Sequence, residues 1–235
     1  MHLREPGTAA HEIGTTLERL RNHVPMQRRV VRAGDVLYTT GARFASLFVP
    51  NSGFFKAVVL AADGREQVVG LHFKGDWLGF DGIAEGRYGC DAVALDTGDV
   101  WSLRYEDLLS ASARYPELLA ALHAAMSRKI NRDHELMLAL ATLPADVRVA
   151  DFLRNWAGSL AERGLRTDKI TLPLTRAEVG SYLGMTLESV SRALSRLDGA
   201  DVIRVGDRCR RDIEIPEVAA LTGFIERNGL AAPVH

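Results

Sequence analysis

Three side chains in the last third of the chain have the types and spacing to read a surface rather than to break a bond: Glu188, Ser191 and Arg192. On a helix they share one face, because residues three and four apart are neighbours. An Arg guanidinium can donate two hydrogen bonds to guanine O6 and N7. A Glu carboxylate can accept from cytosine N4, and a Ser hydroxyl can meet several bases or a thymine methyl. That chemistry is base recognition in a DNA groove. Covalent chemistry has no comparable signature: the sequence contains neither a Ser/His/Asp arrangement nor a Gly-rich phosphate loop. Of its seven histidines only His72 falls in the β-rich region, where a metal-dependent barrel enzyme would gather several His and carboxylate ligands. An enzyme is therefore the least favoured class.

The elements that must position these residues are readable around them. Thr175-Arg176-Ala177-Glu178 has the form of a capping box, which starts a helix. Val179 and Leu183 give that helix an apolar face, and Gly184 can leave it with a positive φ. Thr186 caps a second helix, whose apolar positions Leu187, Val190, Leu194 and Leu197 return at helical intervals. Two amphipathic helices joined by a tight turn form a helix-turn-helix, the element that lays its second helix in the major groove. Glu188, Ser189, Ser191, Arg192, Ser195 and Arg196 project from the polar face of that second helix. The alternative is an ordinary helical hairpin with a solvated face. Beyond Leu197, strands at Val202–Val205 and Arg211–Ile215 around Gly206-Asp207 make a wing. Its tip residues Arg208, Arg210 and Arg211 either hold phosphates or form a solvated basic loop, and Thr175, Thr186, Ser189 and Arg196 are the expected backbone contacts around the reading helix.

Length and composition, 235 residues with 47% hydrophobic and 25% charged, fit a globular protein of one large or two ordinary domains. A net charge of −1 gives no general attraction for nucleic acid, and Thr175–Ile215 holds seven Arg against seven acids. DNA affinity must therefore come from which face each charge occupies. Cys90 and Cys209 offer neither metal-ligand spacing nor a disulfide framework, which fits a reducing cytoplasm. The opening MHLREPGTAAHE lacks the apolar core of a signal peptide, and no run of 18 apolar residues occurs. The expected location is cytoplasmic, without membrane insertion.

Residues 1–26 read as a loosely held tail and one short helix, with Ile13, Leu17 and Leu20 at helical spacing. From Gln27 to Leu103, glycines 34, 41, 53, 64 and 75 punctuate β-rich segments, the texture of an antiparallel sandwich or barrel. Phe54–Leu60 and Glu66–Phe73 flank Asp63-Gly64 as a hairpin, and a second hairpin is expected over Asp91–Leu103. Past Pro116, Leu119, Leu122, Met126, Ile130, Asp133, Met137 and Leu140 form one long helical stripe. It either packs on its own β-domain or meets a second copy. In the second case Asp133 sets two like charges together and tunes dimer strength. Pro144 ends this helix, and Ala145–Arg163 forms another.

This order of parts resembles the bacterial cyclic-AMP receptor / fumarate-nitrate regulator (CRP/FNR) superfamily over residues 27–222. The similarity is most specific in Gly64–His72 and Gly75–Asp81 and in Leu183–Arg192. It implies an α+β fold: tail and short helix at 1–26, antiparallel β-roll at 27–114, dimerisation helix at 115–143 and winged helix-turn-helix at 144–235. It further implies a homodimeric transcription regulator that binds double-stranded DNA and contacts RNA polymerase. The dimer interface would comprise Leu119, Leu122, Met126, Ile130, Asp133, Met137 and Leu140.

The Glu-x-x-Ser-Arg pattern of Glu188, Ser191 and Arg192 is similar to the fumarate-nitrate branch, implying palindromes with TTGA-type half-sites. Leu187 stands where the cyclic-AMP branch has Arg. Arg176 matches a family position that contacts phosphate. Oxygen sensors of the branch hold a [4Fe–4S] cluster on four Cys. Here no Cys precedes Cys90, and Trp101 stands at the position similar to the fourth ligand, so no such cluster is expected. The cyclic-AMP pocket needs a Glu after a Gly and an Arg-Ser pair. Gly79-Phe80-Asp81 and Gly89-Cys90-Asp91 supply neither, and an acid beside an anionic ligand opposes its binding. Haem members exist, so His72 or Cys90 as an axial ligand stays open, and the effector is unassigned.

Overall fold

The computed structural model describes residues 6–206 and 211–229, with side chains from Ile13 onward. The chain forms two compact units, one of Ala10–Asn131 and one of Arg132 onward grouped with the first nine residues. In chain order the elements of the first are α1 (Pro6–His23), β1 (Met26–Val31), β2 (Val36–Tyr38), β3 (Ser46–Ser52), β4 (Phe55–Leu60), β5 (Glu66–His72), α2 (Gly82–Glu85), β6 (Asp91–Ala94), β7 (Gly98–Arg104) and α3 (Tyr105–Ser112). A long helix, α4 (Pro116–Thr142), contains the division. The boundary thus falls inside the helix that the sequence assigned to a segment of its own.

The β-roll is two antiparallel sheets, ordered β1-β7-β3 and β2-β6-β4-β5. The β4–β5 hairpin forms as expected, pairing Leu60 with Glu66, and Gly64 sits in its turn at φ 81°. The second expected hairpin does not form. β6 pairs with β2 and β4, whereas β7 pairs with β1 and β3. Gly98 explains the change of sheet: a Cβ there would lie 2.4 Å from the Ser52 carbonyl oxygen. The chain can run that close to β3 only without a side chain.

One core of this unit is built from α1, β3, β7, α3 and α4, through Leu20, Leu47, Leu103, Leu108, Leu118 and Leu122. The N-terminal segment is thus less loosely held than its polar opening implies: α1 spans 18 residues, and Leu17, Leu20 and Val24 are buried. The other core lies between the sheets and is filled by Val31, Tyr38, Phe55, Leu78, Tyr88 and Val100.

The second unit continues with α5 (Ala145–Ala161), β8 (Lys169–Thr171), α6 (Arg176–Tyr182), α7 (Leu187–Gly199), β9 (Arg204–Val205), β10 (Asp212–Glu214) and α8 (Val218–Asn228). α5 is its spine, burying Val147, Val149, Phe152, Leu153, Trp156 and Leu160. The wing has three strands rather than two, in the order β8-β10-β9, because Ile170 pairs with Ile213 as well as leading into α6. Arg208, Arg210 and Cys209 lie outside the described residues. No helix among those described is long and apolar enough to cross a membrane.

Candidate nucleic-acid interface

α6 and α7 are set by local hydrogen bonds that the sequence spells out. Thr175 Oγ1 accepts from the Glu178 amide at 3.2 Å, and Glu178 Oε2 accepts from the Thr175 amide at 2.7 Å, closing the capping box. After Leu183 the chain turns through Gly184 at φ 61°. Thr186 Oγ1 then accepts from the Ser189 amide at 3.2 Å to start α7. A Cβ on Gly180 would stand 2.6 Å from the Met185 carbonyl oxygen, so the closeness of helix and turn depends on that residue. Arg148, from α5, donates to the carbonyls of Leu183 at 2.7 Å and Leu143 at 3.1 Å. One cation thereby satisfies the C-terminal ends of α6 and α4.

α7 buries Val190, Ala193, Leu194 and Leu197. Leu187, expected in that stripe, is 45% exposed; it is the first residue of the helix, and Ala193 is buried on the face instead. Glu188 and Arg192 are exposed, and Ser191 is half-buried beside them. The Glu188 carboxyl is held below the usual glutamate range by its own backbone amide at the helix start, by the Thr186 hydroxyl and by Arg192. It is an ionised acceptor at neutral pH. Arg192 Nη2 rests 3.4 Å from Ser189 Oγ, and Arg176 Nη1 donates to Ser191 Oγ at 3.0 Å. Arg196, expected on phosphate, pairs instead with Asp146 at 2.7 Å. Spacing missed that pairing because the partners are 50 residues apart. An ion pair this exposed contributes only about 0–1 kcal/mol, so it leaves the guanidinium exchangeable.

The stripe on α4 divides by depth. Leu122 is 2% exposed, in the core with Leu118 and Ala125, and so drops out of the expected interface: it covers its own β-roll. Leu119 and Met126 are partly buried against that core. Ile130 and Met137 stand out at 50% and 57% exposed. Leu140 is half-buried, as is Asp133, whose charge helps burial raise the Tyr182 hydroxyl to about 12.

In the roll, Asp81 precedes α2 and, though exposed, bonds across to the Gly89–Cys90 loop. Its Oδ2 accepts from the Gly89 amide at 2.6 Å and lies 3.5 Å from Cys90 Sγ. At this cassette a carboxylate already holds the Gly89 amide, and Tyr38 stacks on Tyr88 at 4.0 Å between the sheets. Burial and the Asp81 charge push the Cys90 thiol up to about 12, which keeps it protonated. His72 is 4% exposed, with Nε2 3.1 Å from where a Cβ on Gly70 would be. Trp101 packs under the Arg21 guanidinium at 5.0 Å. No group of three or more His, Cys, Asp or Glu among the described residues could hold a metal ion.

A β-roll joined to a winged helix-turn-helix whose reading face carries ionised Glu, Ser and Arg defines a DNA-binding regulator. Comparison with known proteins agrees part by part. Residues 28–115 match the cyclic nucleotide-binding domain and residues 147–224 the Crp-like helix-turn-helix domain. The chain is 31% identical over 207 residues to the fumarate and nitrate reduction regulatory protein of Salmonella typhimurium, covering 88% of this chain and 82% of that one. It is 32% identical over 189 residues to the protein of that name from Escherichia coli, covering 80% and 75%. FixK2 from Bradyrhizobium japonicum superposes with a TM-score of 0.77 at 25% identity, covering 89% of this chain and 100% of that one. The chain belongs to the CRP/FNR superfamily: it is a transcription regulator with a helix-turn-helix DNA-binding domain, not an enzyme.

Proposed function

We propose that this regulator acts as a homodimer on palindromes with TTGA-like half-sites, placing α7 of each copy in successive major grooves about 34 Å apart. The observation that carries the reading is the face of exposed Glu188 and Arg192 with half-buried Ser191 between them at the N-terminal half of α7, the part of a recognition helix that meets base edges. Arg192 takes guanine through O6 and N7, and Glu188 takes the amino group of cytosine on the opposite strand. Thr175, Thr186 and Ser189 fix the register on phosphates, joined by Arg196 once released from Asp146 and by Arg208. Leu119, Met126, Ile130, Met137 and Leu140 form the seam between copies, with Asp133 at its edge. The roll holds neither an iron–sulfur cluster nor a cyclic nucleotide, and the dimer is competent as made or answers another signal. It works in the cytoplasm and activates transcription by contacting RNA polymerase.

The test is binding of the purified, metal-free and ligand-free protein to a TTGA-type palindrome beside a scrambled duplex at one salt concentration. Tighter binding to the palindrome supports the reading. Equal binding to both removes the half-site or the constitutive competence, and selection from a random duplex pool, with and without cell extract, separates the two.

A further inference from the structure

Arg176 is the first residue of α6, yet its guanidinium crosses to α7 and donates to Ser191 Oγ at 3.0 Å. The residue is half-buried. It shares the lining of a small internal cavity, about 20 Å³, with Phe152, Val179, Val190 and Leu194. A cation meant only to follow a phosphate needs a long, free stem; this one is walled by core side chains and aimed at a neighbouring hydroxyl. Resting on the reading above, in which α7 meets base edges, we propose that Arg176 is a specificity-determining positioning residue that acts through Ser191.

The selectivity lies in the hydroxyl. A guanidinium can only donate, so Ser191 Oγ accepts from it and keeps its own proton to give. Nothing else among the described residues accepts that proton. A neighbouring cation polarises the O–H group into a stronger donor and repels any further N–H group approaching the oxygen. Ser191 is thereby biased toward acceptors: thymine O4, guanine O6 or N7, adenine N7. Cytosine presents only its N4 amino donor in the major groove and is the base it disfavours. A serine that is by itself indifferent to base becomes selective because of a residue 15 positions away.

The experiment compares the full-length wild type with Ser191→Ala, Arg176→Gln and the double variant, each used to select from a random duplex pool at one fixed salt and then titrated against the chosen duplexes. The wild type should disfavour cytosine at one position of each half-site. Each single variant should lose that preference at the same position by about two- to ten-fold, the range of one hydrogen bond. The double variant should lose no more than Ser191→Ala alone. If Arg176→Gln weakens every duplex equally and flattens the salt dependence by about one counterion, Arg176 is a phosphate contact and the proposal falls. It falls equally if Ser191→Ala leaves the base profile unchanged, a result that does not depend on how well the Arg176 variant folds. A wild type with no base preference at any position would instead bring down the underlying reading of α7.

Discussion

Cys90 carries the sharpest consequence at the scale of one residue. Burial and Asp81 both raise its thiol, the latter from 3.5 Å, and the thiolate is the reactive form. Peptide-resolved alkylation near pH 8 should therefore find Cys90 modified far more slowly in the folded protein than after denaturation. Asp81→Asn removes a negative charge that opposes ionisation, so the pKa should fall and the rate rise; an unchanged rate would mean that burial alone protects the thiol. On the reading face, Arg192→Ala should lose roughly 1–3 kcal/mol against the selected duplex and relax one base position, measured as the ratio of selected to scrambled affinity. These residues were legible because their chemistry is unusual where they stand: Glu188, Ser191 and Arg192 share one helical face. The Arg176–Ser191 contact was not, since no periodicity joins the first residue of one helix to the middle of another. Asp146, which takes Arg196, lies on α5 and carries no local signal at all.

At the scale of elements, the helix-turn-helix shows why some parts of a sequence announce themselves. Thr175, Glu178, Gly184 and Thr186 each satisfy a requirement within four residues of themselves, so both helix starts and the turn follow from local rules. Gly180 belongs to the same device, though its role emerges only in three dimensions. Gly180→Ala should place a methyl 2.6 Å from the Met185 carbonyl, cost about 1–3 kcal/mol through overpacking and weaken sequence-specific binding. Calorimetry on the variant, with duplex titration, checks both; an unshifted melting temperature would show that the turn yields freely. The β-strands behave differently. The β4–β5 hairpin was legible from Asp63-Gly64, whereas β6 and β7, only three residues apart, belong to different sheets. Their partners β2, β4, β1 and β3 lie far back in the chain, and alternating burial looks the same whichever sheet a strand joins. Leu122 makes the same point on α4: its place in the apolar stripe was clear, but which neighbour it faces was a tertiary matter.

At the scale of the whole molecule, Ile130 and Met137 are the members of the α4 stripe that stand exposed. Met137→Glu should put two carboxylates into the seam and shift the protein toward monomer, with a parallel loss of affinity for palindromic duplexes. Sedimentation over a concentration series reads the first effect; an unchanged dimer would place the seam elsewhere. Leu122→Ala, by contrast, should act through the stability of the roll, by about 2–5 kcal/mol as a core truncation does.

The crossing of the chain between the two sheets also bears on how the molecule comes into being. β1 pairs with β7, Met26 opposite Leu103, so the first sheet has no central strand until the end of the roll has been made. Closing so long a loop is slow relative to local helix formation. The partners that bring α6 and α7 together are near neighbours in sequence. During refolding from denaturant, hydrogen-exchange protection should therefore appear on α6 and α7 before it appears on β1, even though β1 is the first strand to leave the ribosome.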